Sequence, residues 1–433
     1  MTAGTSLPSL AAAFGALDTE GVVWALLRGG ETTVAAGGDV DVLVAAGYVR
    51  RVSRALERAG FVRVPSGGAA PHVFFLCAEE GPAGPVWVCL DVVDRLTAGR
   101  RVLPADVSTA ALARRVRAGD RWALDVDDEF WHLLLHAALR PVPRATRPPR
   151  PSGWSEVTHA ARPAGPVAEA VREMAGYGDA DLRALLERAR QDPEAAIDSL
   201  RTRLRAQAWP PGALLVKSPP SARASAEALT TRTAALLGAL THPSGLSVAI
   251  LGPDGAGKTT LAENLGRVLP LPTRYVYLGV WREYPWDRWL RHVVGARLLL
   301  RMLRLSFRSM QVRLHRTRGR VVLLDRFTYD ALLPSDHLDR RGKITTALVR
   351  RLGAQPDLLL VLDAPAEVMF ARKGEQTIEE LDRRRHTYRE VSTQHPAAVV
   401  LDAARPAAEV LAEAQQAVWA ALVQRWRRRS VPS

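Results

Sequence analysis

Cysteine is nearly absent: Cys77 and Cys89 are the only two in 433 residues. Two thiols can build neither a disulfide framework nor a four-thiolate zinc site, and they suit a reducing compartment. The first residues, MTAGTSLPSLAAAFGALDTEG, lack the basic start of a signal peptide, and no uninterrupted apolar run reaches the ~18 residues of a spanning helix. A soluble, cytoplasmic protein is therefore expected. Internal repeats and long low-complexity tracts are missing too, so no part of the chain reads as an array of modules.

What is present is ordinary globular material, 47% apolar and 24% charged, enough to bury sizeable cores. At 433 residues, two domains are expected rather than one. A net charge of +14 draws polyanions, whether nucleotides, nucleic acid or an anionic membrane face, although arginines that merely solvate a surface give the same total.

Three regions differ in pattern. Residues 1–140 alternate short apolar runs (VWALLRGG, VDVLVAAG, HVFFLCAE, VWVCLDVV) with helical stretches such as YVRRVSRALERAG, the signature of a small α/β domain. Residues 141–243 open on the proline-rich RPVPRATRPPRPSGW and continue with leucines at helical spacing, with Asp at the expected caps. Residues 244–433 form a second α/β domain in which LSVAILG reads as a buried strand running into GPDGAGKTT.

That glycine loop carries the chemistry. Gly252, Gly255 and Gly257 let successive N–H groups turn around phosphate oxygens, while the following helix points its positive end at the same place. Lys258 is expected to reach the β and γ phosphates and Thr259 to hold Mg²⁺, with Asp254 and Thr260 in the same loop. Further on, GRVVLLDRF sets Asp325 after an apolar strand, where a carboxylate reaches the metal, and Arg326 then faces the transferred phosphate. In LLLVLDAPAEVMFARKGEQTIEELDRRRHTY, a strand leads into two helices, with Pro365 expected in the first helical turn and Thr377 and Glu380 as a capping box. Arg372, Lys373, Arg383, Arg384 and Arg385 suit a basic lid over a polyphosphate.

Together, GPDGAGKTT, DRF and the LDAPAEVMFARKGE…RRRHTY segment resemble the thymidylate kinase family of P-loop nucleoside-monophosphate kinases, over roughly residues 246–422. The resemblance implies a parallel five-stranded sheet wrapped by helices, ATP and Mg²⁺ at Lys258 and Thr259, and Asp254 near the acceptor sugar. It also implies catalytic roles for Lys258, Asp325, Arg326 and Arg372. Three departures fall on the acceptor side: ILG precedes the loop where bacterial relatives have FEG, LGVWREYPWDRW replaces TREPGG, and FTYDALLPSDHLDRR follows the Asp-Arg pair. The phosphate machinery is kept while the base pocket is rebuilt.

Trp289 to Arg320 is a helical stretch dense in arginine, fit for an anionic membrane surface, a polyanionic acceptor, or simple packing on the domain. In the N-terminal region, Gly29 and Gly30 precede Asp39 and Asp41, which share one face of a strand, and Asp91 sits in another apolar strand. Clustered carboxylates are costly without a cation, so a divalent metal is expected at Asp39, Asp41 and Asp91. The pattern resembles the polymerase-β-like nucleotidyltransferases, which implies a metal-binding fold over about the first 140 residues.

The leading expectation is an ATP-dependent phosphotransferase acting on a nucleoside monophosphate or another small acceptor, joined to a nucleotidyltransferase-like domain. A true dTMP kinase is one alternative, and an ATP-dependent switch or membrane-associated regulator without transfer is another. Specific nucleic-acid binding is not expected, and a homodimer is compatible with the pattern.

Overall fold

The computed structural model describes residues 7–28, 39–65, 72–81, 84–99, 101–140, 154–207, 243–277, 296–325 and 355–430. The chain divides into two compact units. The first comprises Met1–Val64, Gly68–Glu79 and Trp87–Thr230; the second comprises Pro65–Gly67, Glu80–Val86 and Thr231–Ser433.

The first unit opens with α1 (Pro8–Thr19), β1 (Trp24–Leu26), β2 (Asp39–Val44), α2 (Val49–Arg58), β3 (Val62–Arg63) and most of β4 (Val73–Gly81) and β5 (Gly84–Val93). A short antiparallel pair, β6 (Thr97–Ala98) and β7 (Arg101–Val102), precedes α3 (Ala105–Ala113), β8 (Val116–Ala118), β9 (Arg121–Ala123) and α4 (Val126–Leu139). Then come α5 (Trp154–Ala160), α6 (Pro166–Ala175), α7 (Asp179–Gln191) and α8 (Pro193–Ala206). Seven strands make one mixed sheet in the order β3-β4-β5-β2-β1-β9-β8.

Both faces of that sheet are covered, which explains why its central strands read as nearly continuous apolar runs. Trp24, Leu26, Val40, Val42 and Val44 face α1 and α2, where Phe14, Leu17 and Leu56 pack. Ala25, Leu43 and Val93 face the other way, into a core that contains Phe130 and Trp131 of α4 and the leucines of α7 and α8. The helices of the middle region thus share a core with the first sheet. The period of two sends Asp39 and Asp41 to the side of Leu43.

The acid-rich start of α4 is architectural. Asp125 caps the helix by accepting from Asp127 N–H at 3.0 Å. Fully buried Asp127 and Asp128 accept from the N–H groups of Arg162 (2.7 Å) and Val167 (3.2 Å), and Arg114 donates to Asp128 at 3.0 Å. Among the expected aspartate caps, Asp192 caps α8 through the N–H groups of Glu194 and Ala195. At α7 the carboxylate that bonds back is Asp181, which accepts from Gly178 N–H at 2.8 Å, because Asp179 already lies inside the helix.

The second unit contains β10 (Leu246–Leu251), α9 (Lys258–Val268), β11 (Thr273–Tyr277), α10 (Ala296–Thr317), β12 (Val321–Asp325), β13 (Leu358–Asp363), α11 (Ala366–Lys373), α12 (Ile378–Gln394), β14 (Ala398–Asp402) and α13 (Ala407–Ser430). Its five strands are all parallel, in the order β11-β12-β10-β13-β14. Such a sheet must be buried on both faces, and β10 is buried at every position. This is the wrapped parallel sheet that the resemblance implies.

At the edge where the strands begin, Asp357 binds four donors. Ser247 N–H and Oγ both lie at 2.8 Å, Arg316 Nη2 at 2.9 Å and Arg425 Nη1 at 2.8 Å. One carboxylate thereby joins β10, α10, the start of β13 and α13.

Candidate functional site

The opposite edge, where the parallel strands end, carries the phosphate loop. Gly255 has φ +87°, and a Cβ there would collide with the Met369 carbonyl. Gly257 has φ +94° with nothing near an added Cβ, so its backbone faces open space at the start of α9. Glycine is needed at the first for packing as well as conformation, and at the second for conformation alone. The result is a concave run of backbone aimed at a helix N-terminus, a geometry that receives anions.

Lys258 lies folded over this loop. Its Nζ donates to the carbonyls of Gly252 and Pro253, both at 2.8 Å, and stands 3.6 Å from Asp254 Oδ1. The other oxygen of Asp254 accepts from Gln376 Nε2 at 3.3 Å and lies 4.0 Å from Arg384 Nη1. The loop and the segment around α12 therefore meet on one carboxylate. Thr259 and Thr260 are exposed on the first turn of α9. Ala249 stands opposite Leu324 in the β10–β12 pairing, and Asp325 follows Leu324 as the last residue of β12.

The lid segment has the expected helices. Thr377 caps α12 by accepting from Glu380 N–H at 3.2 Å. Pro365 differs from expectation: it is the N-cap of α11, with extended backbone, because its ring clears the last strand residues before the helix turns begin. Arg372, expected in the lid, donates through Nη1 to the Ala403 carbonyl at 3.0 Å. Arg385 and Arg384 are held by carboxylates, Asp363 for the first and Glu380 for the second.

Beside the loop lies a cavity of about 310 Å³, lined by Gly257, Thr260, Arg372, Ala403, Arg405 and Val410 among others. Its far wall is the turn between β14 and α13. The sequence reading missed this wall, and it missed Gln376 and Asp363. Asp363 had a local signal, an acid closing an apolar strand one position before Ala364-Pro365; the turn at 403–405 had none.

Characterised proteins include chains of similar sequence. The thymidylate kinase of Xanthomonas campestris pv. campestris strain B100 is 33% identical over 210 residues, covering 43% of this chain and 88% of that enzyme. The chain belongs to the thymidylate kinase family. The thymidylate kinase of Xanthomonas euvesicatoria pv. vesicatoria strain 85-10 is 32% identical over 208 residues, 42% of this chain and 87% of its own. A solved structure of thymidylate kinase from Candida albicans is 20% identical, covers 41% of this chain and 92% of its own, and superposes with a TM-score of 0.33. No family model matches the chain. The second unit is thus a P-loop kinase of the thymidylate kinase family, a nucleotide-binding transferase.

In the first unit, β2 and β5 run parallel, with Asp41 opposite Asp91 and Asp39 opposite Cys89. The three carboxylates expected together do stand on neighbouring strands. Two basic side chains are already there. Arg28 Nη2 is 3.4 Å from Asp41, and His72 Nδ1 lies 2.8 and 3.0 Å from the two oxygens of Asp91. Burial pushes the Asp41 carboxyl above its ordinary range, with Arg28 opposing, and the bond to Asp91 holds the His72 imidazole above its own. Among the described residues, no group of three or more His, Cys, Asp or Glu is arranged to hold a metal ion. Gly29, Gly30 and Arg326 lie outside the described residues, as do Arg282 and Glu283.

Proposed function

We propose that the second unit transfers the γ-phosphoryl group of ATP to a nucleoside monophosphate, with thymidylate the first acceptor to test. The observation that carries this reading is the meeting of Lys258, Gln376 and Arg384 on Asp254, since a loop and a lid that share one carboxylate enclose the place between them. The cavity against Gly257 and Thr260 has the size and position for the nucleoside end of the donor.

In this reading the backbone N–H groups of Gly255 and Gly257 receive phosphate oxygens, and Lys258 exchanges the carbonyls of Gly252 and Pro253 for the β and γ phosphates. Arg372 and Arg384 add positive charge as the lid closes, and water is kept from the transferred group. Thr259, at the start of α9, and Asp325, the last residue of β12, are the hard oxygen donors that would hold Mg²⁺. When bound there, Mg²⁺ would neutralise charge between the β and γ phosphates. Asp254 stays on the acceptor side of the loop.

The test is transfer of labelled γ-phosphate from ATP to thymidylate, to other nucleoside monophosphates and to a small-metabolite panel. Lys258→Ala is the control and should lower turnover by at least about a hundredfold while the protein still melts cooperatively. Label on thymidylate supports the reading. Label on a metabolite that is not a nucleotide would overturn the acceptor class but not the donor, and turnover unchanged in the control would overturn both.

A second reading rests on the parallel register of Asp41 with Asp91. It takes the first unit as a nucleotidyltransferase-type domain whose Asp39, Asp41 and Asp91 accept a divalent cation once Arg28 and His72 move off them. Mg²⁺ or Mn²⁺ should then raise the melting temperature of the protein, and Asp41→Asn should remove that rise. An identical rise in the variant would end this reading.

A further inference from the structure

A cavity of about 440 Å³ in the first unit lies where the ends of α4 and α8 come together beside β7. Four arginines line it, Arg101, Arg140, Arg201 and Arg205, and among the described residues no carboxylate does. Arg201 has a structural task. Its Nε and Nη2 donate to the carbonyls of Ala138 and Ala137, both at 3.1 Å, which closes the last turn of α4, and its Nη1 pairs with exposed Asp198. Arg101 is engaged as well. Arg140, the C-cap of α4, and Arg205, in the last turn of α8, are different. Both are exposed, and among the described residues neither guanidinium has a hydrogen bond or an ion pair.

Cations are favoured at helix C-termini, so the fold itself accounts for part of this charge. The partial charge of roughly −0.5 at each of the two helix ends cancels about one arginine. Asp198 cancels another. About two positive charges are left around one concave space, whose low-dielectric walls concentrate their field. A phosphate monoester carries close to that charge with the opposite sign, about −1.5 to −2 near pH 7, and the guanidinium fork matches its oxygens two at a time. Leu139 and Leu204 line the rest of the cavity and offer an apolar wall to an organic group joined to the phosphate. The volume suits a small molecule, and the bases of a nucleic acid strand would find no aromatic side chain in the described lining on which to stack.

We propose that this cavity binds a phosphorylated small molecule, with the phosphate held between Arg140 and Arg205 and the organic part against Leu139 and Leu204. The site belongs to the first unit and is independent of the kinase reading, because it shares no residue with the phosphate loop or with Asp39, Asp41 and Asp91.

Calorimetric titration of the full chain with phenyl phosphate tests this. It is done in the Lys258→Ala protein, to weaken the phosphate loop, and without divalent cations, to keep the three aspartates out of the binding. Phenyl phosphate should bind one per chain, at least about fivefold more tightly than inorganic phosphate, which lacks the apolar group, or benzoate, which has a single charge. Arg140→Ala with Arg205→Ala should weaken binding at least about tenfold, and the two lysine substitutions, which keep the charge and lose the fork, about threefold. Arg50→Ala with Arg183→Ala removes the same net charge from exposed positions elsewhere on the unit and should bind as the parent, and melting curves check that every variant folds. Phenyl phosphate binding that does not saturate would overturn the proposal. Equal losses in the two alanine pairs would overturn it too, since net charge alone would then be responsible. Binding of single-stranded DNA that the Arg140 and Arg205 pair abolishes, with no phenyl phosphate bound, would assign the cavity to nucleic acid instead.

Discussion

Arg385 grips Asp363 through two hydrogen bonds, Nε to Oδ1 at 2.6 Å and Nη2 to Oδ2 at 3.2 Å. Asp363 ends β13, beside the phosphate loop, and Arg385 lies on α12, so the pair ties the arginine helix to the edge where the chemistry is placed. Arg389 approaches the same carboxylate at 3.7 Å. The two side chains are 14% and 26% exposed, sheltered enough for a bidentate pair to count.

Asp363→Asn keeps the shape and removes the charge. The second unit should lose about 1–2 kcal/mol, the worth of a charge-assisted hydrogen bond, and turnover should fall about tenfold as Arg385 loses its orientation. Calorimetry and steady-state kinetics check both numbers. No change in either would make the pair an ordinary surface contact.

Asp254 ties the loop to the lid more weakly, since its contacts with Arg384 and Lys258 are long and partly solvated. Asp254→Asn should therefore release the lid by only about 0.5–1 kcal/mol, enough to speed tryptic cleavage between Gly374 and Arg385 about threefold. A cleavage rate equal to that of wild type would mean the contact does not hold the lid.

Asp357 is expected to matter for folding and not for catalysis. With two arginines and Ser247 bonded to it at the far edge of the sheet, Asp357→Asn leaves Arg316 and Arg425 facing each other without compensation. The loss should be about 3 kcal/mol in denaturant unfolding, with KM values for nucleotide unchanged. A shift under about 0.5 kcal/mol would show that solvent replaces the carboxylate.

The first unit should be acid-sensitive through His132. Burial pushes its imidazole down to about 4, and it sits with Nε2 2.8 Å from the Thr97 carbonyl and Nδ1 without a partner. The neutral ring is the folded form, while the unfolded chain takes up a proton near pH 6.5. Stability is therefore fully present above about 6.5 and declines as the pH falls toward 4, by roughly 3 kcal/mol in all. His136 is shifted down as well, again chiefly by burial, and adds to the decline. His72 is shifted up and works against it, since its contribution is present in acid and lost as the pH rises. Melting temperatures between pH 4.5 and 7.5 should show the slope, and His132→Phe should flatten it; an equal slope in the variant would assign the effect elsewhere.

Some of this was readable along the chain because the forces involved are local. A buried strand feeding a glycine loop, Thr377 three residues before Glu380, and Asp192 ahead of α8 are all decided within a few residues, by backbone sterics and by helix ends that need acceptors. The parallel sheet was implied by the family resemblance of the phosphate loop and the segments after it, and the period of two put Asp39 and Asp41 on one face. The arginine-rich helix α10 was half legible: its arginines stood out, but which of its leucines face the sheet depends on which side of the helix meets β12.

Sequence alone determined the elements, the phosphate loop and the chemical types gathered around it. Tertiary structure decided the partners. Asp254 meets Gln376 across 122 positions, Arg316 and Arg425 find one aspartate, and Asp91 comes beside Asp41 with His72 already on it. These pairings depend on strand order and register, which are set by how whole faces bury their apolar surface, and no short stretch of chain contains that information.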